Sequence, residues 1–321
     1  MDNLWAIGID LGGTKIEGAL VGSDGSLQHQ ISYPTKAASG AEAVIQQILS
    51  LISEIKQKST EPICGVGIGI AGQIEGQVVR FAPNLNWHDI PLVEKLAPFV
   101  KAPIYLDNDV QMTTRGEKKF GAGQDCSNFI CLNLGTGIGG GIVMNDSLVA
   151  GSSHTAGEFG HLTVLLNGPL CTCGNRGCLE ALSSGWAIAK RAREELLDLS
   201  KDSPLFKLSQ GQKENISAAL VFQAAAQKDP RALIIVQNAV DALIAGLVSI
   251  INGWNPQRII LGGGLLKGYL QFLPEIKKGI YQRALPAACT ALEVLTSTCQ
   301  GNASLLGAAV LVFESIGDKK C

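Results

Sequence analysis

The sequence predicts an α/β protein of two related domains, and three observations carry that prediction: a strand–turn–strand unit that occurs twice, helical and strand periodicities that alternate, and a length of 321 residues. The repeated unit opens with the apolar run Ile7 to Leu11, turns at Gly12-Gly13-Thr14, and continues as the alternating strand Lys15 to Val21. The same plan returns with Phe129 to Leu134, the glycine-rich Gly135 to Gly141, and Ile142 to Met144. Each copy starts a stretch of alternating strands and helices, which implies two α/β domains facing each other. Helical periodicity marks Ala41 to Lys56, Val110 to Phe120, Ser184 to Leu199, Arg231 to Ile251 and Ala303 to Ser315. Buried strands are expected at Ile63 to Ile70, Ile104 to Leu106 and Arg258 to Leu261. A first domain of residues 1–120 ends where the helix runs into Gly121-Ala122-Gly123. Length alone also permits a single large domain, and the repeat favours two.

Composition narrows the function classes. Apolar residues make up 46% and charged residues 17%, and the long uncharged tracts are interrupted by glycine, so no membrane span is expected. Met1 leads directly into the strand-like Leu4 to Ile9 without a basic leader, which points to a cytoplasmic protein. The net charge is −2 and basic residues cluster only as pairs such as Lys118-Lys119, so nucleic acid is not an expected partner. Nine cysteines, an odd number, are expected to be reduced. Six of them, Cys64, Cys126, Cys131, Cys289, Cys299 and Cys321, stand apart as core fillers or spectators.

The other three, Cys171, Cys173 and Cys178, lie within eight residues and have His161 nearby. One imidazole and three thiolates form the ligand set of a closed, structural tetrahedral zinc site, and soft sulfur favours zinc over magnesium. Gly174 and Gly177 permit the tight knuckle that such a site needs, and the surrounding 151–177 segment lacks periodicity, as a functional insertion does. Glu158 and Glu180 flank this loop. Paired carboxylates accept hydrogen bonds from neighbouring sugar hydroxyls, and unrelated surface acids are the alternative.

The two glycine turns admit two readings each. Gly12, Gly13, Thr14 and Lys15 after Asp10, and Gly135, Thr136 and Gly137 in the second copy, bring backbone amides and a hydroxyl close to where phosphate oxygens would lie. An ordinary hairpin turn is the other reading. Gly135-x-Gly137-x-x-Gly140 and Gly67-x-Gly69-x-x-Gly72 match the dinucleotide fingerprint formally, but strand and turn residues follow where a helix is required. No Walker-type loop is present. In Leu106-Asp107-Asn108-Asp109 a strand gives way to a helix, so Asn108 or Asp109 caps the helix, or Asp109 serves as a general base for a hydroxyl attacking a phosphoryl group. Gly262, Gly263 and Gly264 end a buried strand, where an adenine ring would find open backbone.

Together these residues resemble the ROK family of bacterial sugar kinases and sugar-responsive repressors, and the chain is similar to its glucokinase branch over nearly its full length. Asp10 to Lys15 and Leu134 to Gly141 resemble its two phosphate motifs. The most specific match is Gly157-Glu158-Phe159-Gly160-His161 followed by Cys171-x-Cys173-Gly174-Asn175-x-Gly177-Cys178-Leu179-Glu180. The resemblance implies a two-domain actin-like fold with the active site in the cleft between domains. The first domain is then 1–120, the second, with the zinc loop, is 121–302, and a C-terminal helix at 303–316 returns to the first. It implies Asp109 as catalytic base; Asn84, Asn108, Glu158, His161 and Glu180 as sugar contacts; and Asp10 near Mg·ATP phosphates. Gly262 to Gly264 then form the adenosine motif, and a homodimer is expected. Val110-Gln111 and Asn86 depart from the family pattern, at positions expected to shape the pocket wall.

The expected reaction is transfer of the γ-phosphoryl group of ATP to the 6-hydroxyl of glucose, with Mg2+ as the working metal and zinc as scaffold. Fructose, mannose or an N-acetylhexosamine are alternative acceptors. A transcriptional repressor would carry a DNA-binding segment ahead of the first phosphate motif, and Asp10 stands too near the start to leave room for one. A sugar-free actin-like ATPase is disfavoured by Glu158 and Glu180.

Overall fold

The computed structural model describes residues 4–195 and 200–317. Among these, residues 4–131, 141–156 and 297–317 form one compact unit, and 132–140, 157–195 and 200–296 form a second. The first unit contains the strands β1 (Trp5–Leu11), β2 (Lys15–Gly22), β3 (Leu27–Pro34), β4 (Ile63–Ile70), β5 (Gln73–Glu75), β6 (Val78–Ala82), β7 (Trp87–Ile90) and β8 (Ile104–Asn108). Its main sheet has the order β3-β2-β1-β4-β8, while β5, β6 and β7 form a small antiparallel sheet. β2 and β3 join antiparallel, whereas β4 and β8 run parallel to β1.

The period of two along β1 sorts its neighbours. Ile7, Ile9 and Leu11 face one side with Val44, Ile45, Ile48, Leu51, Ile52 and Ile55 of the Ala41–Lys58 helix. These side chains recur at three- and four-residue spacing, so one stripe of the helix is buried. Each contributes about 1.5–3 kcal/mol by leaving water. Ala6 and Ala19 face the other side with Leu305, Leu306, Ala309 and Val312 of the C-terminal Ala303–Gly317 helix. Small residues on this face let the helix backbone lie close to the sheet, and Asp10 shares the face with Ser304.

The remaining strands are β9 (Phe129–Leu134), β10 (Ile138–Met144), β11 (Ser147–Leu148), β12 (Arg258–Gly262) and β13 (Glu293–Thr296), in the sheet order β11-β10-β9-β12-β13. The division between units falls within β9 and β10. In the second unit the Pro230–Trp254 helix is started by Asp229, whose side chain accepts from the amides of Arg231 and Ala232, and by proline in its first turn. Asn255 ends it in the left-handed conformation. This helix is long and apolar enough to cross a membrane by length and composition. Here Ile235, Val236, Leu243, Leu247 and Ile251 are buried against the Ala218–Ala226 and Leu273–Arg283 helices, as in a core helix.

The expected strands at 63–70, 104–106 and 258–261 and the expected helices are present, with ends moved by a few residues. The helix expected over 184–199 is described as Gly185–Glu195 after a short Glu180–Ser183 turn. Positions 196–199 and Cys321 lie outside the described residues. Residues 151–177 contain, among regular elements, one 3-10 turn at Phe159–His161.

Candidate functional site

In the first unit the candidate residues gather at the carboxyl ends of three parallel strands. Asp10 of β1, Gly69 of β4 and Asp107 of β8 lie in one row of the ladder, and Leu11, Ile70 and Asn108 in the next. Open α/β sheets bind ligands at this end, because there the chain leaves the strands in loops while helix amino termini point outward. Asn108 is the last residue of β8 and Asp109 the first of the Asp109–Phe120 helix.

The cap falls to Asn108. Its Oδ1 accepts from the amides of Val110 (2.9 Å) and Gln111 (3.3 Å), and its Nδ2 donates to the carbonyl of Gly72 (3.0 Å). Asp109 is therefore not needed as the cap and sits half-buried in the first turn, where the helix dipole favours a negative charge. Burial raises the Asp10 carboxyl above its ordinary value, opposed by the Ser304 hydroxyl and the Lys15 ammonium.

The turn between β1 and β2 is a hairpin whose Gly12 amide donates to the Lys15 carbonyl (2.9 Å). Thr35 clamps it from β3's end: its hydroxyl donates to Gly12 O (2.7 Å) and its amide to Thr14 O (2.9 Å). No pattern in the sequence pointed to Thr35. Lys15 pairs with Glu17. A Cβ at Gly13 would stand 2.6 Å from both Cβ and O of Asn84, so glycine there lets the turn meet the Pro83–Leu85 segment. Asn84 lines a shallow cavity of about 300 Å³ with Ala37, Ala38, Gly40, Pro83, Leu85 and Asn86.

Two departures from the family pattern acquire a physical reading. Asn86 has φ 54° and ψ 43°, a left-handed conformation that glycine and asparagine both tolerate, so the backbone is kept. Val110 and Gln111 are buried within the unit, and Gln111 Nε2 donates to Ala156 O (3.1 Å).

In the second unit a different set converges. The ligand atoms of His161, Cys171, Cys173 and Cys178 all lie within 4.8 Å of one another. Cys173 Sγ and Cys178 Sγ are 3.7 Å apart, as are Cys171 Sγ and His161 Nδ1. Zinc–sulfur bonds of about 2.3 Å in a tetrahedron put sulfurs about 3.8 Å apart, so the donor set fits zinc in both type and spacing. Burial, with two neighbouring thiols, pushes the Cys178 thiol up to about 12 in the absence of metal; a cation is what would allow three thiolates to coexist there.

His161 has its second nitrogen, Nε2, 3.8 Å from Glu158 Oε2. Glu158 keeps 56% of its side chain exposed. The desolvation it does undergo raises its carboxyl, His161 opposes the shift and Glu180 adds to it. Glu180, starting the Glu180–Ser183 turn, is held by three donors: the Ile138 amide to Oε2 (2.9 Å), and Trp186 Nε1 (3.2 Å) and the Thr172 hydroxyl (3.4 Å) to Oε1. A carboxylate has about four acceptor positions, so one remains for a ligand hydroxyl. Trp186 also packs on Cys171, Cys178 and Ala181, joining the Cys/His cluster to Glu180. Neither Trp186 nor Thr172 carried a signal in the sequence beyond proximity to the loop.

The second glycine turn lies against this acid. A Cβ at Gly137 would sit 2.5 Å from Glu180 Oε2. The carbonyls of Gly135 and Thr136 accept from the amides of Gly185 (2.9 Å) and Trp186 (3.1 Å), and the Gly135 amide donates to Gly137 O (2.9 Å). Thr136 is exposed. Gly262 ends β12; Gly263 and Gly264 form the turn after it, where the Leu265 amide returns to Leu134 O (2.9 Å). The expected residues thus form two clusters: Asp10, Gly12, Gly13, Thr14, Lys15, Asn84, Asn108 and Asp109 in the first unit, and the others in the second.

A family model, the ROK family, matches residues 6–315. The glucokinase of Thermotoga maritima is 38% identical over 321 residues, covering 99% of this chain and 100% of the relative. The xylose repressor of Bacillus spizizenii is 31% identical over 98% of this chain and 78% of its own length. Among solved structures, a ROK family glucokinase from Streptomyces griseus in complex with glucose and AMPPNP is 32% identical, with a TM-score of 0.83 over 96% of this chain and 98% of that one. The sequence motifs, the α/β architecture with mixed sheets and a match that runs nearly end to end agree: this chain belongs to the ROK family, with the actin-like fold of its sugar kinases.

Proposed function

We propose that this protein is an ATP-dependent hexose kinase that phosphorylates the 6-hydroxyl of glucose. The observation that carries the reading is Asp109 at the carboxyl end of β8, in the first turn of a helix that Asn108 caps, in a chain similar throughout to glucokinases. Asp109 accepts the proton of the sugar hydroxyl as the hydroxyl oxygen attacks the γ-phosphorus and the bond from that phosphorus to the bridging oxygen breaks, releasing ADP. Asn84, with Asn108 through its second Nδ2 hydrogen, and the acids Glu158 and Glu180 bind the remaining hydroxyls. The hairpin turn at Gly12 to Lys15 and the turn at Gly135 to Gly137 hold phosphate oxygens, and Gly262 to Gly264 take the adenosine. Asp10 would hold Mg2+, which supplies neutralisation of phosphate charge. His161, Cys171, Cys173 and Cys178 would hold zinc, which supplies no step of the reaction and fixes the loop that carries Glu158 and Glu180. A homodimer in the cytoplasm completes the reading.

Rates with glucose, fructose, mannose and N-acetylhexosamines at fixed ATP test it, with the position of the new phosphate ester read by NMR. Preference for another of these sugars, or an ester away from carbon 6, overturns the choice of acceptor. The match to xylose repressors favours a second reading, a sugar-responsive regulator. Specific DNA binding without turnover of any hexose would support it against the kinase.

A further inference from the structure

The Gly185–Glu195 helix, like any helix, leaves its first amides without partners of its own. Ser184 Oγ accepts from the Ala187 amide (3.3 Å), and the Gly185 and Trp186 amides donate to the carbonyls of Gly135 (2.9 Å) and Thr136 (3.1 Å). The second glycine turn is therefore part of the cap of this helix. Its peptides are planar and trans, so each carbonyl and the amide hydrogen of the next residue point in opposite directions. With the carbonyls of Gly135 and Thr136 turned toward the helix, the amides of Thr136 and Gly137 are turned away from it. These are the donors that the turn offers to an anion.

Trp186 also reaches the acid. Its indole Nε1 donates to Glu180 Oε1 (3.2 Å), while Glu180 Oε2 accepts from the amide of Ile138, the residue that follows the turn (2.9 Å). A ring closes from the turn through the Trp186 backbone, the indole, Glu180 and Ile138 back to the turn, and every member belongs to the second unit. The indole is fixed on its faces as well: it packs on Cys171, Cys178 and Ala181, and Lys190 Nζ stands 5.9 Å from a ring centroid. Rotation of the Thr136–Gly137 peptide moves the carbonyl that holds the Trp186 amide, and the indole carries that movement to Glu180. We propose that Trp186 is a positioning residue that couples the two substrates: phosphate bound on the Thr136 and Gly137 amides fixes the peptides that hold Trp186, and its indole fixes Glu180 for a sugar hydroxyl. The inference rests on the kinase reading, in which the turn takes phosphate and Glu180 the sugar. Whichever ligand binds first orders the ring, so the second binds more tightly, and linkage makes the factor the same in both directions.

Calorimetry of the full chain tests it by measuring glucose affinity with and without saturating MgADP, a pair that permits no phosphoryl transfer. In the unaltered protein MgADP should tighten glucose binding about tenfold, and glucose should tighten MgADP by the same factor. Trp186→Phe keeps the backbone amide and an aromatic ring on the cysteines but has no N–H for Glu180, so the factor should fall to about twofold or less. Thr172→Val is the control, since it removes the other side-chain donor to Glu180 Oε1: glucose affinity should fall about threefold with or without MgADP, and the coupling factor should stay. A factor near one in the unaltered protein, or one that survives Trp186→Phe, overturns the coupling. So does its loss in Thr172→Val, because any weakening of Glu180 would then remove it. If Trp186→Phe does not fold, 15N-indole spectra of the unaltered protein decide: one of the four tryptophan signals should move with glucose alone and with MgADP alone, and the lack of a signal that answers to both overturns the proposal. An unaltered protein that neither binds nor phosphorylates any hexose refutes the kinase reading and the coupling together; turnover with independent binding of the two ligands refutes the coupling alone.

Discussion

The two clusters of candidate residues, one in each unit, are held by different physics. Asp10, Asn108 and Asp109 owe their positions to a parallel ladder in which β1, β4 and β8 end in register. Glu158, His161 and Glu180 sit on an irregular stretch tied by two isolated bridges, Thr163 to Cys178 and Leu170 to Arg176, a Cys/His cluster and side-chain donors. A ladder positions side chains through the backbone, so one can be exchanged without moving the others. A loop without a ladder depends on each cross-link, and here the strongest would be a metal.

The largest effect expected separates chemistry from position. Asp109→Asn should lower kcat by about 10³-fold while the melting temperature holds, because Asn108 supplies the helix cap. Near-normal turnover in a steady-state assay would remove Asp109 from its role.

The second tests the loop half without touching any sugar contact. Cys173→Ala, or removal of metal by chelation, should raise KM for glucose by about 10–100-fold and lower the melting temperature, with Asp109 and its strand intact. Loss of metal by elemental analysis with unchanged sugar affinity by calorimetry would break the comparison. Because the ligands must shed protons, metal should also leave as pH falls.

A smaller effect is expected from Gly137→Ala. The new methyl meets Glu180 Oε2, so KM for glucose should rise about tenfold, and a crystal structure should show the carboxylate displaced. If KM for ATP rises instead, the turn matters first to phosphate.

The smallest sharpens the ladder half. Asp10 has a folded-state carboxyl raised above 3.8 by burial, so the native state binds its proton before the unfolded chain does. That cost is fully present at neutral pH and disappears as pH falls below the unfolded value. Asp10→Asn should raise the melting temperature at pH 7 by about 1–3 °C and flatten its rise toward acid, while impairing turnover with Mg·ATP. A lower melting temperature in calorimetry would contradict this.

Much of the fold was legible because its signals are local. Helical periodicity over Ala41 to Lys56 and Arg231 to Ile251 marks two helices that are present, and the apolar run Ile7 to Leu11 falls in β1. The cysteine spacing pointed to the convergence of His161, Cys171, Cys173 and Cys178, since a tight knuckle needs its ligands near in sequence. The Asn108–Asp109 ambiguity was not resolvable there, because either residue can cap and only side-chain geometry distinguishes them. Thr35 left no mark, because the carbonyl of Gly12 that it holds lies 23 residues away, and Trp186 left none beyond its nearness to the loop.

By itself the sequence determined the two strand–turn–strand units, the Cys/His donor set of the irregular loop and the acid at the end of β8, all written in patterns a few residues long. The tertiary structure alone decided that Glu180 takes its amide donor from Ile138, 42 residues away, and that Gly137 lacks a side chain where that carboxylate lies. The reason is that such contacts arise from packing of elements whose approach no local periodicity encodes.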